Sequence, residues 1–85
     1  MTRRYKGRPS AKTIARDFPF IVEIAVPLGG FGKRLNLMHQ FHNQRGIQVA
    51  QRHRHEDDGD FALWCFARRA IAEEFAAEFG GTLLR

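Results

Sequence analysis

The sequence predicts an α+β domain in which two helices cover one face of a single sheet, in the order β-α-β-β-α with a short closing strand. Apolar residues alternate in three segments and recur at three- and four-residue steps in two others. A strand, a helix and a strand in succession favour a parallel pair with a right-handed crossover, to which a hairpin adds an antiparallel neighbour. These features predict a two-layer sandwich.

The strands are expected at residues 18–26, 47–55 and 61–67. Asp58-Gly59 is a hairpin signal between the last two. The third of these strands is apolar on both faces, so it should lie at the centre of the sheet. Alternation assigns one set to the helix side, namely Val22, Ile24, Ala62, Trp64 and Phe66, and another to the uncovered side, namely Ile21, Ala25, Phe61, Leu63 and Cys65.

The helices are expected at residues 31–45 and 69–79. Apolar stripes at helical spacing define their inward faces, at Phe31, Leu35, Met38 and Phe41 in the first and at Ile71, Phe75 and Phe79 in the second. Gly46 and Gly80-Gly81 follow these stripes and predict left-handed caps. "TLL" at residues 82–84 suits the short closing strand.

Charge divides the chain into a basic flexible arm, residues 1–17, and one domain, residues 18–85. Residues 1–16 hold six Lys and Arg and no acid, whereas residues 17–85 hold eight Lys and Arg and nine Asp and Glu. All of the net charge of +5 therefore comes from the arm. Such an arm either contacts the phosphates of a nucleic acid or serves as a solubilising terminus.

Several protein classes are excluded by pattern. No apolar run approaches the roughly 20 residues of a membrane helix, and no apolar segment follows the first four residues as in a secretory signal. The single cysteine, Cys65, fits a reducing compartment. The sequence thus predicts a cytoplasmic protein with no membrane partner.

"GDFALWCF", residues 59–66, followed by an alanine-rich helix, resembles the third strand and second helix of RNA-recognition-motif domains. Phe61, Ala62 and Phe66 fit that pattern, and Asp60 and Leu63 depart from it. Residues 26–47 are similar in spacing to ACT-like regulatory domains, which bind amino acids at a Pro/Gly loop and pair across dimers. Both resemblances imply a ferredoxin-like plait. Residues 65–81 also resemble the tail of small bacterial proteins of unknown function.

The glycine-rich stretch "VPLGGFGKRL", residues 26–35, fits neither nucleotide-binding loop. A P-loop needs glycine where Pro27 stands and a hydroxyl where Arg34 stands, and a dinucleotide loop needs glycine at Leu35. Two interpretations stay open. The stretch is an anion-binding helix start at Gly29, Gly30 and Gly32, or it is a tight turn.

Catalytic and metal chemistry have little support. His39 and His42 share a helix, and His53 and His55 share a strand face, but each pair would need to converge on the other to hold a metal. Cys65 lies in an apolar strand, as a buried thiol would. We therefore expect no enzyme activity, no cofactor and no metal.

The sequence predicts a small binding protein that associates with nucleic acid through its cations: Arg3, Arg4, Lys6, Arg8, Lys12, Arg16, Lys33, Arg34, Arg52 and Arg54. The alternative is a homodimeric regulatory or protein-interaction module. It would use either the glycine loop or the uncovered sheet face, with an interface at Ile21, Phe61, Leu63 and Cys65. The other interpretation of that face is that residues 1–17 fold back and cover it.

Overall fold

In the computed structural model, which describes residues 10–84, four strands form one antiparallel sheet with three helices packed around it. The sheet order is β2-β3-β1-β4. The elements are α1 (Ala11–Asp17), β1 (Phe20–Ala25), α2 (Lys33–Arg45), β2 (Ala50–Glu56), β3 (Gly59–Phe66), α3 (Arg69–Phe79) and β4 (Thr82–Leu83). The α+β class is confirmed.

The predicted parallel strand pair is wrong. β1 and β2 point the same way but do not pair, because β3 lies between them and is antiparallel to both. The connection through α2 places β2 two positions away from β1 in the sheet, and β3, which forms a hairpin with β2, occupies the position between them. A strand that is apolar on both faces gains most from this place, so the predicted central position of the third strand is confirmed.

Both α2 and α3 pack on the same sheet face, as predicted, and enclose the main core. Trp64 of β3, Phe75 of α3 and Met38 of α2 are fully buried there. Leu35 was expected in this core, but it is 39% exposed. The side of α2 one turn before Met38 is taken by Arg34, whose guanidinium donates to the Phe79 carbonyl (2.7 Å).

A purely two-layer sandwich is also wrong, because α1 packs on the opposite face of the sheet. Ser10 caps this helix by accepting a hydrogen bond from the Thr13 amide (3.2 Å). Ile14 is buried against Ala50 and Cys65 in a second, smaller apolar cluster. The segment predicted as an arm thus includes a docked helix at residues 11–17, and residues 1–9 lie outside the described part of the chain.

His42 is a fully buried titratable group in the main core. Its ring stacks on Phe66 with centroids 5.3 Å apart, and its Nδ1–H donates to the Met38 carbonyl (2.8 Å). Within residues 10–84, Nε2 has no hydrogen-bond partner. Burial disfavours the imidazolium and lowers the pKa of His42 below its ordinary value of 6.5.

We predict that the free energy of unfolding falls as the pH drops from 7.5 to 5.5, because the unfolded chain takes up a proton that folded His42 resists. The stabilisation is complete above pH 6.5 and is lost as the pH falls toward the lowered pKa. Urea unfolding at both pH values measures this. His42→Phe should reduce the difference, and His53→Gln, at an exposed position of β2 outside the core, should keep most of it. Equal pH dependence in wild type and His42→Phe would contradict this account.

Gly81 lies directly against β1, where a Cβ would come within 2.5 Å of Val22 Cγ1 and 2.8 Å of Ile24 Cγ1. Gly81→Ala should therefore destabilise the fold by about 1–3 kcal/mol through overpacking. At Gly80 a Cβ meets open space, and its left-handed backbone tolerates asparagine. Thermal unfolding of Gly81→Ala beside Gly80→Asn checks this, and a smaller loss at residue 81 than at residue 80 would refute the close approach.

Candidate functional site

The sheet face opposite α2 and α3 carries the candidate site, and we call it the open sheet face. Paired residues of neighbouring strands share a face, so the register arranges it in three rows. The rows, each running from β1 through β3 to β2, are Ile21–Cys65–Ala50, Glu23–Leu63–Arg52 and Ala25–Phe61–Arg54. The predicted membership of this face in β1 and β3 is therefore confirmed.

The first row is covered by α1. Ile14 packs on Cys65, which is 1% exposed, and on Ala50. Burial raises the pKa of the Cys65 thiol, which also lies 3.6 Å from the Leu63 carbonyl. This thiol is therefore poorly suited to act as a nucleophile at neutral pH. Of the predicted interface residues, Cys65 is hidden and Ile21 is half-buried beside it.

The third row is built around an arginine stacked on an aromatic ring. The Arg54 guanidinium lies 4.6 Å from the centre of the Phe61 ring. It forms salt bridges with Glu23 on β1 and with Glu56 on its own strand, the latter at 2.9 Å between Nε and Oε2. Phe61 and Arg54 are both half-buried. These contacts hold a cation and an aromatic edge in fixed positions at the surface.

The second row places Arg52 beside Leu63. Arg52 is exposed, and within residues 10–84 it has no ion pair. Glu23 lies in the same row and is committed to Arg54. An unpaired guanidinium with five donors, next to a half-buried leucine and close to Phe61, suits a ligand that has both anionic and flat apolar groups.

The other predicted cations do not all join this face. Lys33 and Arg34 begin α2, on the helix side of the sheet, and Arg34 is bound to the Phe79 carbonyl and lies 6.0 Å from the Phe31 ring centre. Lys12 and Arg16 belong to α1 and are exposed, with Arg16 paired to Asp17 (2.8 Å). Arg3, Arg4, Lys6 and Arg8 lie outside the described residues.

The glycine loop has the geometry of a turn. The Gly30 amide donates to the Pro27 carbonyl (2.8 Å), and Gly29 and Gly30 have φ values of 88° and 92°. Further along, the Arg34 amide donates to the Phe31 carbonyl and the Leu35 amide donates to the Gly32 carbonyl (3.2 Å each). The positive φ values explain why glycine occupies these positions, because glycine is the residue that adopts positive φ freely. Anion binding at Gly29, Gly30 and Gly32 stays a prediction. Leu28 at its tip is fully exposed.

The histidines fall in separate places. His42 is in the core, His39 is exposed on α2, and His53 and His55 lie near Asp60 at the end of the hairpin. The hydrogen bond from His55 lowers the pKa of Asp60. Within the described part of the chain, no three His, Cys, Asp or Glu side chains are arranged to hold a metal ion.

Comparisons of the chain with protein-family models, with curated proteins and with solved structures give no match. None of the helices in residues 10–84 has the length and apolarity needed to cross a membrane. The surface chemistry of the chain is therefore the basis for assigning a role.

Proposed function

We propose that the protein binds nucleic acid through the open sheet face together with its basic N-terminal segment. The observation that carries this proposal is the position of α1. The helix docks on the same face that presents Arg52, Arg54 and Phe61, and four cations, Arg3, Arg4, Lys6 and Arg8, precede this helix in the sequence. Cations beside a flat aromatic ring suit a ligand that has both phosphates and bases.

The charge pattern of the chain supports this role. No Asp or Glu occurs from residue 24 to residue 55, a stretch that ends in β2 with Arg52 and Arg54. The acids nearest to this stretch, Glu23 and Glu56, are both paired with Arg54. Arg52 therefore remains the free cation among the described residues of the three rows, and the N-terminal segment adds unbalanced positive charge.

The alternative, a homodimer that pairs its sheets face to face, is less well supported by this surface. Glu23, Arg52 and Arg54 alternate with Leu63 and Phe61, and the most apolar row is already covered by Ile14. A sheet-to-sheet interface would bury these charges, which costs free energy unless each one is paired. Binding of an anionic polymer would instead gain from the positive charges of the two arginines.

For the fold, we propose the ferredoxin-like plait. The supporting observation is the strand order β2-β3-β1-β4 with antiparallel pairing, in which α2 and α3 join strands that are not neighbours. The helix α1 is then an addition to the plait, placed on the face that such a fold leaves open. This arrangement is consistent with a binding surface made by the sheet itself.

The proposal predicts salt-dependent binding of a fluorescein-labelled 12-nucleotide RNA or DNA strand. With three to six phosphate contacts, affinity should fall roughly 20- to 300-fold between 50 and 200 mM salt. Arg52→Gln should lower the magnitude of the log–log salt slope by about 0.7 on a single strand. Replacing Arg3, Arg4, Lys6 and Arg8 by Gln should lower it further. Fluorescence anisotropy titrations measure all of these quantities.

The matched control is Arg69→Gln, which removes the same charge from α3, on the other side of the sheet. It should leave both affinity and salt slope nearly unchanged. Absence of binding at 50 mM salt would refute the proposal. An equal loss in Arg52→Gln and Arg69→Gln would show that net charge, rather than the open sheet face, governs binding.

A further inference from the structure

The helix α2 is attached to the rest of the molecule through a small set of long side chains. Of its 13 residues, Met38, Phe41 and His42 are buried. Within residues 10–84, the backbone of α3 runs close to β1, β3 and β4, whereas the backbone of α2 makes no comparably close approach to another element. Leu35 and Leu37 are exposed and add little to the attachment. The position of α2 therefore depends on three side chains, and one of them is titratable.

That titratable side chain, His42, lies in an aromatic box formed by Phe41, Trp64, Phe66 and Phe75. The centroid of its ring lies 5.3 Å from that of Phe66, 5.6 Å from those of Trp64 and Phe75, and 5.8 Å from that of Phe41. Trp64 and Phe66 belong to β3 and Phe75 belongs to α3, so the imidazole joins α2 to both the sheet and the other helix.

Protonation would place an unpartnered donor inside the aromatic box. The atom of His42 that takes up the proton is Nε2, which has no hydrogen-bond partner among the residues that the structure describes. A buried N–H without an acceptor costs free energy, and a buried charge costs more. The attraction of a cation to aromatic rings is smaller than the cost of removing an ion from water. The imidazolium is therefore more stable in water than in the box.

The neighbours of His42 on its own helix add to this cost. His39 and Arg45 both disfavour a positive charge on the His42 ring. The hydrogen bond from Nδ1 to the Met38 carbonyl (2.8 Å) favours the charged form. Burial outweighs that bond, and the pKa of His42 is lowered as a result.

Within the described part of the chain, the other elements packed on His42 supply no acid that balances the charge. The strand β3 contributes Trp64 and Phe66, and β2 presents Gln51 opposite Trp64. On α3, Glu74 is 58% exposed and is paired with Arg45 (3.2 Å). A proton on the His42 ring is thus held more favourably when the ring has left its place.

We propose that α2 is a pH-sensitive helix, which is released from the sheet when His42 takes up a proton, while β1, β3 and α3 stay folded. Below pH 6.5 the released form binds a proton that the packed form resists, so a falling pH shifts the equilibrium toward release. The part that remains keeps its own core, in which Val22 and Ile24 pack with Phe75 and Phe79. The inference concerns the helix layer and is independent of any ligand on the open sheet face.

Amide hydrogen exchange of the full chain, followed by NMR at pH 7.5 and pH 5.5 and corrected for intrinsic exchange rates, tests the proposal. If packed His42 stays neutral and released His42 has its ordinary pKa of 6.5, the population with released α2 should rise about tenfold between these pH values. The protection of the α2 amides should fall by that factor. At pH 5.5 it should also lie roughly tenfold or more below the protection of the β3 amides, because α2 opens without the rest of the domain.

Two variants and a matched control identify the group responsible. His42→Leu removes the titratable ring and keeps an apolar side chain, so the fall in α2 protection should disappear. His42→Gln serves the same purpose if the leucine variant does not fold. His53→Gln removes an exposed imidazole from β2 and should keep the fall. The comparison of α2 with β3 in the wild-type protein needs no variant.

Three results would overturn the proposal. Equal protection of α2 and β3 at pH 5.5 would show that the helix opens only when the whole domain unfolds. Protection of α2 that is the same at both pH values would show that its opening is not linked to a proton. A fall of the same size in a folded His42 variant would assign the proton to another group. None of these results affects the proposed binding to nucleic acid, which the salt-dependent titrations decide separately.

Discussion

Burial of β3 on both of its faces is the constraint on which the rest of the structure depends. On one face, the Trp64 ring lies 5.3 Å from the Phe75 ring and 5.6 Å from the His42 ring, measured between centroids. On the other face, Cys65 is covered by Ile14. A large apolar side chain such as Phe75 stabilises the folded state by about 1.5–3 kcal/mol when it is fully buried. The strand must therefore be central, and both the helix layer and α1 are required to cover it.

This constraint also creates the candidate site. The helix layer needs alternate residues of β3, and the side chains between them must point to the opposite face. α1 is long enough to cover only the first of the three rows there. The remaining rows present Leu63 and Phe61 beside two arginines, of which Arg54 is paired with Glu23 and Arg52 has no ion pair within residues 10–84. The proposed binding surface is thus the part of the central strand that the fold leaves accessible on this face.

Many of the secondary-structure elements and their buried faces could be predicted from the sequence, because the alternation of apolar residues in β1 and β3 and their helical spacing in α3 are strong. The bounds of α3 are as predicted, and so are the two faces of β3. The pairing of β1 with β3 could not be predicted, because local pattern does not say which strands are neighbours. The docking of α1 could be predicted only as one of two interpretations of the uncovered face, because Ile14 is the single large apolar side chain of this helix. The partnership of Arg54 with Glu23 could not be predicted, because it depends on register.

We propose that ligand binding occurs on the open sheet face rather than on the helix layer. The most direct test is a titration of isotopically labelled protein with the 12-nucleotide strand, followed by backbone amide chemical shifts. We expect the largest shifts in β2 and β3 near Arg52, Arg54 and Phe61, together with α1, and unchanged shifts in α3. Shifts concentrated in α2 and α3, with β2 unaffected, would contradict it.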